Sequence, residues 1–294
     1  MRTKKQVIRL IVEKGVNIVF YLFMLGLAWI GVQIFILSSF RIPSDSMSPA
    51  LREGDYVLVG KWTQGPRLFN VFASIQDRQT KIYRLPGWRN IRRNDVVVFN
   101  YPYAESNDTL KLSIQSYFIK RCIGLPGDTL QIVRGMYRVK GVDEPLGNRD
   151  AQRHIGRQDR NSFGDGVYDC YPFEDGFHWN IQAFGPFYIP RKGDRIALNR
   201  EAFRLYRKLI AWEQSLPVAY RDSSVYIGDR PASFYVFKKN YYFMAGDNGF
   251  DSKDSRYWGV LPEEFMVGKA CLIWKSVNPL TGKMNWTRTF KTID

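Results

Sequence analysis

The sequence predicts a mostly β protein with a single N-terminal transmembrane helix, and three observations carry that prediction. No charged residue occurs over the 25 positions from Val16 to Phe40. Beyond Leu51 the chain breaks into short runs of β-branched and apolar residues, each introduced by a turn pair. Only one long stretch outside the apolar run, near Arg200 to Leu216, has helical spacing. The expected architecture is that helix, then an extracytoplasmic antiparallel β domain with a β-rich insertion containing one helix.

The first 15 residues carry Arg2, Lys4, Lys5, Arg9 and Lys14 against the single Glu13. At about 1.5 Å per residue, a helix over 16–40 would more than cover the roughly 30 Å hydrocarbon layer. With the basic cluster on its short side, the positive-inside rule puts the N-terminus in the cytoplasm and everything after Phe40 outside. A cleaved secretory signal is the competing reading, but its apolar core normally runs only about 7 to 15 residues.

Four turn pairs then precede β-type runs: Gly54-Asp55, Asn94-Asp95, Gly127-Asp128 and Gly193-Asp194. Between Arg200 and Leu216, the residues Phe203, Tyr206, Leu209, Ile210 and Glu213 share one helical face. The region from Gln131 to Asn240 reads as an inserted lobe, with stretches such as 147–168 that show no clear periodicity.

Composition narrows the function. A chain of 294 residues that is 45% hydrophobic and 15% aromatic is not disordered. The net charge of +15 comes from Lys and Arg scattered along the chain, without a nucleic-acid motif. A basic solvated surface or attraction to anionic lipid accounts for it better than nucleic acid does. Cys122, Cys170 and Cys271 form no metal-spaced pair and leave at least one thiol free.

Three stretches carry candidate chemistry. Phe40-Arg41-Ile42-Pro43-Ser44-Asp45-Ser46-Met47-Ser48-Pro49 follows directly on the apolar segment, and its two prolines stiffen a loop that presents hydroxyls. In the stretch Ser116 to Asp128, a strand over Ser116 to Ile123 puts Lys120 beside Phe118 and Cys122, while Tyr117, Ile119, Arg121 and Ile123 face the other way. A lysine among apolar neighbours is desolvated as an ammonium ion, so its pKa falls toward neutrality and it becomes a usable base. The alternative is an edge-strand lysine that buries its stem and keeps its head in water. The third stretch, Met244 to Gly259, is rich in Gly, Asp, Asn and Ser and reads as a long ordered turn. A serine nucleophile needs a proton acceptor. The two histidines, His154 and His178, both lie in the insertion with nothing to tie them to Ser46, so a Ser-Lys pair is the more economical arrangement.

Taken together and in this order, the three stretches resemble the sequence boxes of bacterial type I signal peptidases, membrane-anchored Ser-Lys proteases. The resemblance covers Phe40 to about Asp128 and Tyr241 to Ala270. It implies a catalytic core from 41–130 and 241–294, with 131–240 inserted. Matched by motif position, it makes Ser46 the nucleophile and Lys120 the general base. Ser44 and the Ser46 N–H would form an oxyanion hole, and Ser252 would orient the lysine. Arg121 with Asp247, and Asp254 with Arg256, would support the site. Ile42 and Ile119 would wall the pockets for small residues at −1 and −3 of a cleavage site. The resemblance further implies preprotein substrates bearing signal peptides, a lipid bilayer as host in the bacterial cytoplasmic membrane, and no metal or cofactor. Two departures stand out: Gly249 and Phe250 follow Gly-Asp-Asn where an arginine and a polar residue are usual, and Asp45 puts a carboxylate between Ser44 and Ser46. A Ser-Lys self-cleaving protease of the repressor type, or a membrane-tethered scaffold that kept the fold and lost turnover, are the alternative readings.

Overall fold

The computed structural model describes residues 4–70, 82–103 and 108–293. Helix α1 (Lys4–Phe35) leads into strands β1 (Leu37–Arg41) and β2 (Asp55–Gly60) and a short ribbon of β3 (Arg67–Leu68) and β4 (Tyr83–Arg84). Strands β5 (Val96–Asn100) and β6 (Tyr117–Gly124) follow, then a second group, β7 (Thr129–Val133), β8 (Met136–Val139), helix α2 (Arg149–Arg157), β9 (Ala183–Tyr188), β10 (Arg195–Ala197) and helix α3 (Arg200–Gln214). A meander of β11 (Val218–Arg221), β12 (Ser224–Ile227) and β13 (Arg230–Ala232) precedes β14 (Phe234–Val236). The chain closes with β15 (Tyr241–Ala245), helix α4 (Ser255–Trp258), β16 (Leu261–Pro262), β17 (Met266–Ser276) and β18 (Lys291–Thr292). The main sheet has eight strands in the order β1-β2-β17-β5-β6-β15-β16, with β18 on β17, and its pairs are antiparallel.

The helix does not run to Phe40 as expected. It stops at Phe35, and 37–41 pairs with β2 as an edge strand. An apolar run alone does not separate helix from buried strand; the hydrogen bonds decide it. Lys61 Nζ donates to the carbonyls of Gln33 and Ile34, and the Ser38 hydroxyl donates to Gln33 O, satisfying C-terminal acceptors that the helix leaves open. The stretch Val12–Phe35 is still long and apolar enough to cross a membrane, and its helical fold extends back into the basic N-terminal segment.

All four turn pairs precede strands, and the structure shows a shared device. Gly54, Asn94, Gly127 and Gly193 each have positive φ, which Gly and Asn adopt at least cost. The aspartate that follows each one accepts the backbone N–H three residues upstream, at 2.9 Å for Asp55, 2.9 Å for Asp95, 2.8 Å for Asp128 and 3.0 Å for Asp194. A cation then holds each carboxylate, as Arg288 holds Asp55 and Arg93 holds Asp128.

The second group of sheets starts at β7, so Thr129 and Leu130 belong to the inserted lobe rather than to the core. That lobe holds two long helices, not one. Helix α2 lies in the stretch expected to be aperiodic; its N-cap Asn148 accepts the N–H groups of Asp150 and Ala151, and Gln152 and Ile155 point inward. Helix α3 appears where expected, with Ala202, Leu205, Tyr206, Leu209 and Ile210 buried. Phe203 is only half buried against Tyr220. Glu213 is drawn inward by the hydroxyls of Tyr235 and Tyr241, which donate to it at 2.7 Å each. The three cysteines stay apart as free thiols.

Candidate active site

Ser46 sits in a turn just after β1, fixed from beneath by Met47 and Leu51, both fully buried. Backbone bonds close the turn, from Ser48 N–H to Asp45 O and from Leu51 N–H to Met47 O. The neighbouring strand β6 pairs with β5 in register Val97↔Lys120, which puts Lys120 on the Val97, Phe99 and Phe118 face and Ile119 on the opposite one. Lys120 is 4% exposed, and its Nζ donates to Ser46 Oγ at 2.6 Å. It is therefore not an edge lysine with its head in water.

Burial is the largest influence on this ammonium, and it lowers the Lys120 pKa to about 8. Asp254 pulls the other way and Arg256 reinforces the lowering. Desolvation thus wins over Asp254, the carboxylate that opposes it most, because that carboxylate is already committed to a cation of its own. Arg256 Nε and Nη2 bond Asp254 at 2.8 and 2.7 Å, with the two residues 1% and 0% exposed. Burial pushes the Asp254 carboxyl up, yet Arg256 and the hydrogen bonds from Gly246 and Ser252 outweigh it and hold the carboxyl low.

The expected supporting pairs are both present. Arg121 makes a fork to Asp247, Nε at 2.8 Å and Nη2 at 2.6 Å, and donates Nη1 to Asn94 O. Ser44 Oγ lies 3.4 Å from Ser46 Oγ. Ile42 and Ile119 are buried in one small apolar cluster with Met47. Ser252 lies in the site, but its hydroxyl donates to Asp254 Oδ2 at 2.7 Å, and it makes no hydrogen bond to Lys120 among the described residues. His154 packs on Phe250, and neither histidine hydrogen-bonds Ser46 among the described residues.

Several site residues escaped sequence reasoning. Asn248 N–H donates to Ser46 O at 3.1 Å, and the Ser255 hydroxyl accepts Met244 N–H, so the Gly246–Gly259 turn is sewn to both the serine loop and β15. Gly246 has no room for a side chain: a Cβ would lie 2.2 Å from Ser252 Oγ and 2.6 Å from Ser46 O. Asn148 Nδ2 reaches Asp247 O from the inserted lobe. For α2 the signal was present in Asn148, Asp150 and the spacing of Gln152 and Ile155. Gly246 and Asn248 stand in the third stretch, but nothing local marks their contacts with Ser46, which lies far away in the chain.

Against this geometry stand the comparisons with known proteins. A family model described as signal peptidase, peptidase S26, matches residues 15–275. The chain belongs to that family. Signal peptidase I of Buchnera aphidicola subsp. Schizaphis graminum is 27% identical over 246 residues, 83% of this chain and 70% of the relative. Signal peptidase I of Pseudomonas aeruginosa is 28% identical over 82% of this chain and 66% of its own. That of Aquifex aeolicus is 26% identical over 88% of each. The solved signal peptidase I of Enterococcus faecalis V583 is 17% identical with a TM-score of 0.30, covering 62% of this chain and 97% of that one.

The departures of this S26 peptidase from the expected motif have physical causes. At Gly249 a Cβ would lie 2.5 Å from Ile155 Cδ1, so α2 occupies the space a larger side chain would need. Phe250 stacks on Phe163 of the lobe at 5.5 Å. Asp45 is exposed and accepts Glu53 N–H at 3.1 Å, which turns its charge to solvent. Gly249→Arg is expected to destabilise the protein by about 1–3 kcal/mol through overpacking. A thermal double-mutant cycle with Ile155→Ala should show favourable coupling; additive losses would mean Ile155 is not the obstacle.

Proposed function

We propose that this chain is a membrane-anchored serine endopeptidase that removes signal peptides from exported preproteins with a Ser46–Lys120 dyad. The observation that carries the reading is the 2.6 Å contact between Ser46 Oγ and a buried lysine whose pKa is lowered to about 8. Such a lysine is neutral often enough near physiological pH to accept a proton. In the proposed reaction Lys120 Nζ takes the Ser46 proton as Oγ attacks the scissile carbonyl. The oxyanion is met by the Ser46 N–H and the Ser44 hydroxyl. Lys120 passes its proton to the departing amine, and the mature protein leaves. Lys120 then takes a proton from the water that hydrolyses the acyl-enzyme.

Asp254, Arg256, Arg121 and Asp247 hold the frame without exchanging protons, and Ser252 acts on Lys120 through Asp254. Ile42 and Ile119 wall pockets that favour small residues at −1 and −3, because a larger side chain would displace packed atoms. Helix α1 spans the cytoplasmic membrane with its basic end inside. Lys61 ties the β domain to the outer end of that helix and keeps the site near the bilayer. There the apolar segment of a signal peptide reaches a high effective concentration.

The test is cleavage of a preprotein with an Ala-x-Ala site by the full chain in detergent. Cutting after the second Ala supports the reading; a folded chain inert on several such preproteins would sink it. Because the neutral lysine is the active form, kcat/KM should rise about tenfold per pH unit below about 8 and level off above. A profile flat from about pH 6 to about pH 9 would exclude Lys120 as the base.

A further inference from the structure

One peptide unit joins the inserted lobe to Ser46. The Asp247 carbonyl accepts Asn148 Nδ2 at 3.1 Å, and the N–H of the same unit, that of Asn248, donates to Ser46 O at 3.1 Å. In a planar trans peptide the C=O and N–H point in opposite directions, so a donor on one side and an acceptor on the other fix its rotation between them. Asn248 also reaches the serine loop through its side chain, Nδ2 lying 3.4 Å from Asp45 O. The Ser46 carbonyl therefore takes its position from a unit whose other end is held by the lobe.

Asn148 is itself held in place. As N-cap of α2 its Oδ1 accepts the N–H groups of Asp150 and Ala151 at 3.2 and 3.3 Å, which turns the Nδ2 donors of the same amide toward Asp247. Asn94, in the turn before β5, clips the chain leading into α2. Its Nδ2 donates to Pro145 O and its Oδ1 accepts Gly147 N–H, both at 2.8 Å. The Asn94 carbonyl accepts Arg121 Nη1, and Arg121 forks Asp247, so a circuit from Asn148 through Asp247, Arg121 and Asn94 closes on the lobe. About two helical turns beyond Asn148, Ile155 fills the space beside Gly249. Helix α2 thus brackets Asn248, at Asp247 through Asn148 and at Gly249 through Ile155.

We propose that Asn148 is a positioning residue for the nucleophile. Through the Asp247–Asn248 peptide it sets the Ser46 backbone, and with it the direction of Oγ toward Lys120 and of the Ser46 N–H toward an oxyanion. The inference rests on the peptidase reading for its effect on turnover. Among the good capping side chains, only Asn offers an acceptor and N–H donors on separate atoms. Cap and clamp can therefore be separated by substitution.

The test uses the full chain in detergent. Asn148→Ser keeps the cap and loses the Nδ2 donor, whereas Asn148→Ala loses both. The Ser variant should melt with wild type and the Ala variant lower. In both, the Asn248 amide hydrogen should exchange about tenfold faster than in wild type. Both should also lower kcat on an Ala-x-Ala preprotein by about tenfold with KM unchanged, because the pockets assigned to Ile42 and Ile119 are untouched. A kcat that falls only in the Ala variant, in step with its melting temperature, would reduce Asn148 to a helix cap and overturn the inference. So would a loss carried by KM, or wild-type exchange at Asn248 in the Ser variant. Exchange is read without substrate, so for a wild type inert on every preprotein it still decides whether Asn148 holds this peptide, and the peptidase reading fails separately.

Discussion

Replacing Ser46 by Ala, or Lys120 by Met, is expected to lower kcat/KM on a cleavable preprotein by at least about 10³-fold, with the double variant no worse than either single one. Non-additivity follows from the geometry. The two groups share one proton across 2.6 Å, so removing either leaves nothing for the other to do. The stability of Lys120→Met separates this from trivial unfolding. Burial lowers the lysine pKa in the folded chain, so folding disfavours the protonated form, and at neutral pH that costs stability. The cost is fully present below about pH 8 and fades as pH rises through the unfolded value. Lys120→Met should therefore be inert yet melt no lower than wild type at pH 7. A Met variant that retains activity would remove Lys120 from the mechanism.

Arg256→Ala is expected to cost about 3–5 kcal/mol, because it strands the fully buried Asp254 carboxylate. At about 2–4 °C per kcal/mol for a chain of this size, the melting temperature falls by roughly 10 °C. The pH dependence gives the sign. In wild type the Asp254 pKa is held low, so its contribution is complete above the unfolded value and lost only as pH falls through the folded one. Without Arg256, burial is opposed only by weaker hydrogen bonds and the folded pKa rises above the unfolded one. The variant then gains stability as pH falls toward the unfolded value, so its deficit against wild type narrows in mild acid. A deficit independent of pH would show that lost packing, not the stranded charge, is the cause. Activity should fall with the fold, since Asp254 also holds Gly246 N–H and the Ser252 hydroxyl.

Much of this protein was legible before any coordinate. The apolar run, the four turn pairs and the α3 spacing are local signals, each written within a few residues, and each marks an element of its predicted type. The motif residues Ser46, Lys120, Asp247, Asp254 and Arg256 were also legible, because their order along the chain carries the resemblance. Helix α2 was missed through weight given to periodicity over capping. The end of α1 was misread because a continuous apolar run has no period to distinguish helix from edge strand.

By itself, then, the sequence determined a helix long and apolar enough to cross a membrane, the β-rich class and the candidates for the reactive side chains, all of which follow from short-range patterns. Only the tertiary structure decided that Lys120, 74 residues from Ser46, is buried beside it. It also decided that Ser252 bonds Asp254 and that α2 fills the space above Gly249. Those outcomes depend on strand register and on which atoms exclude water from an ammonium ion, and desolvation belongs to the assembled interior rather than to any stretch of chain.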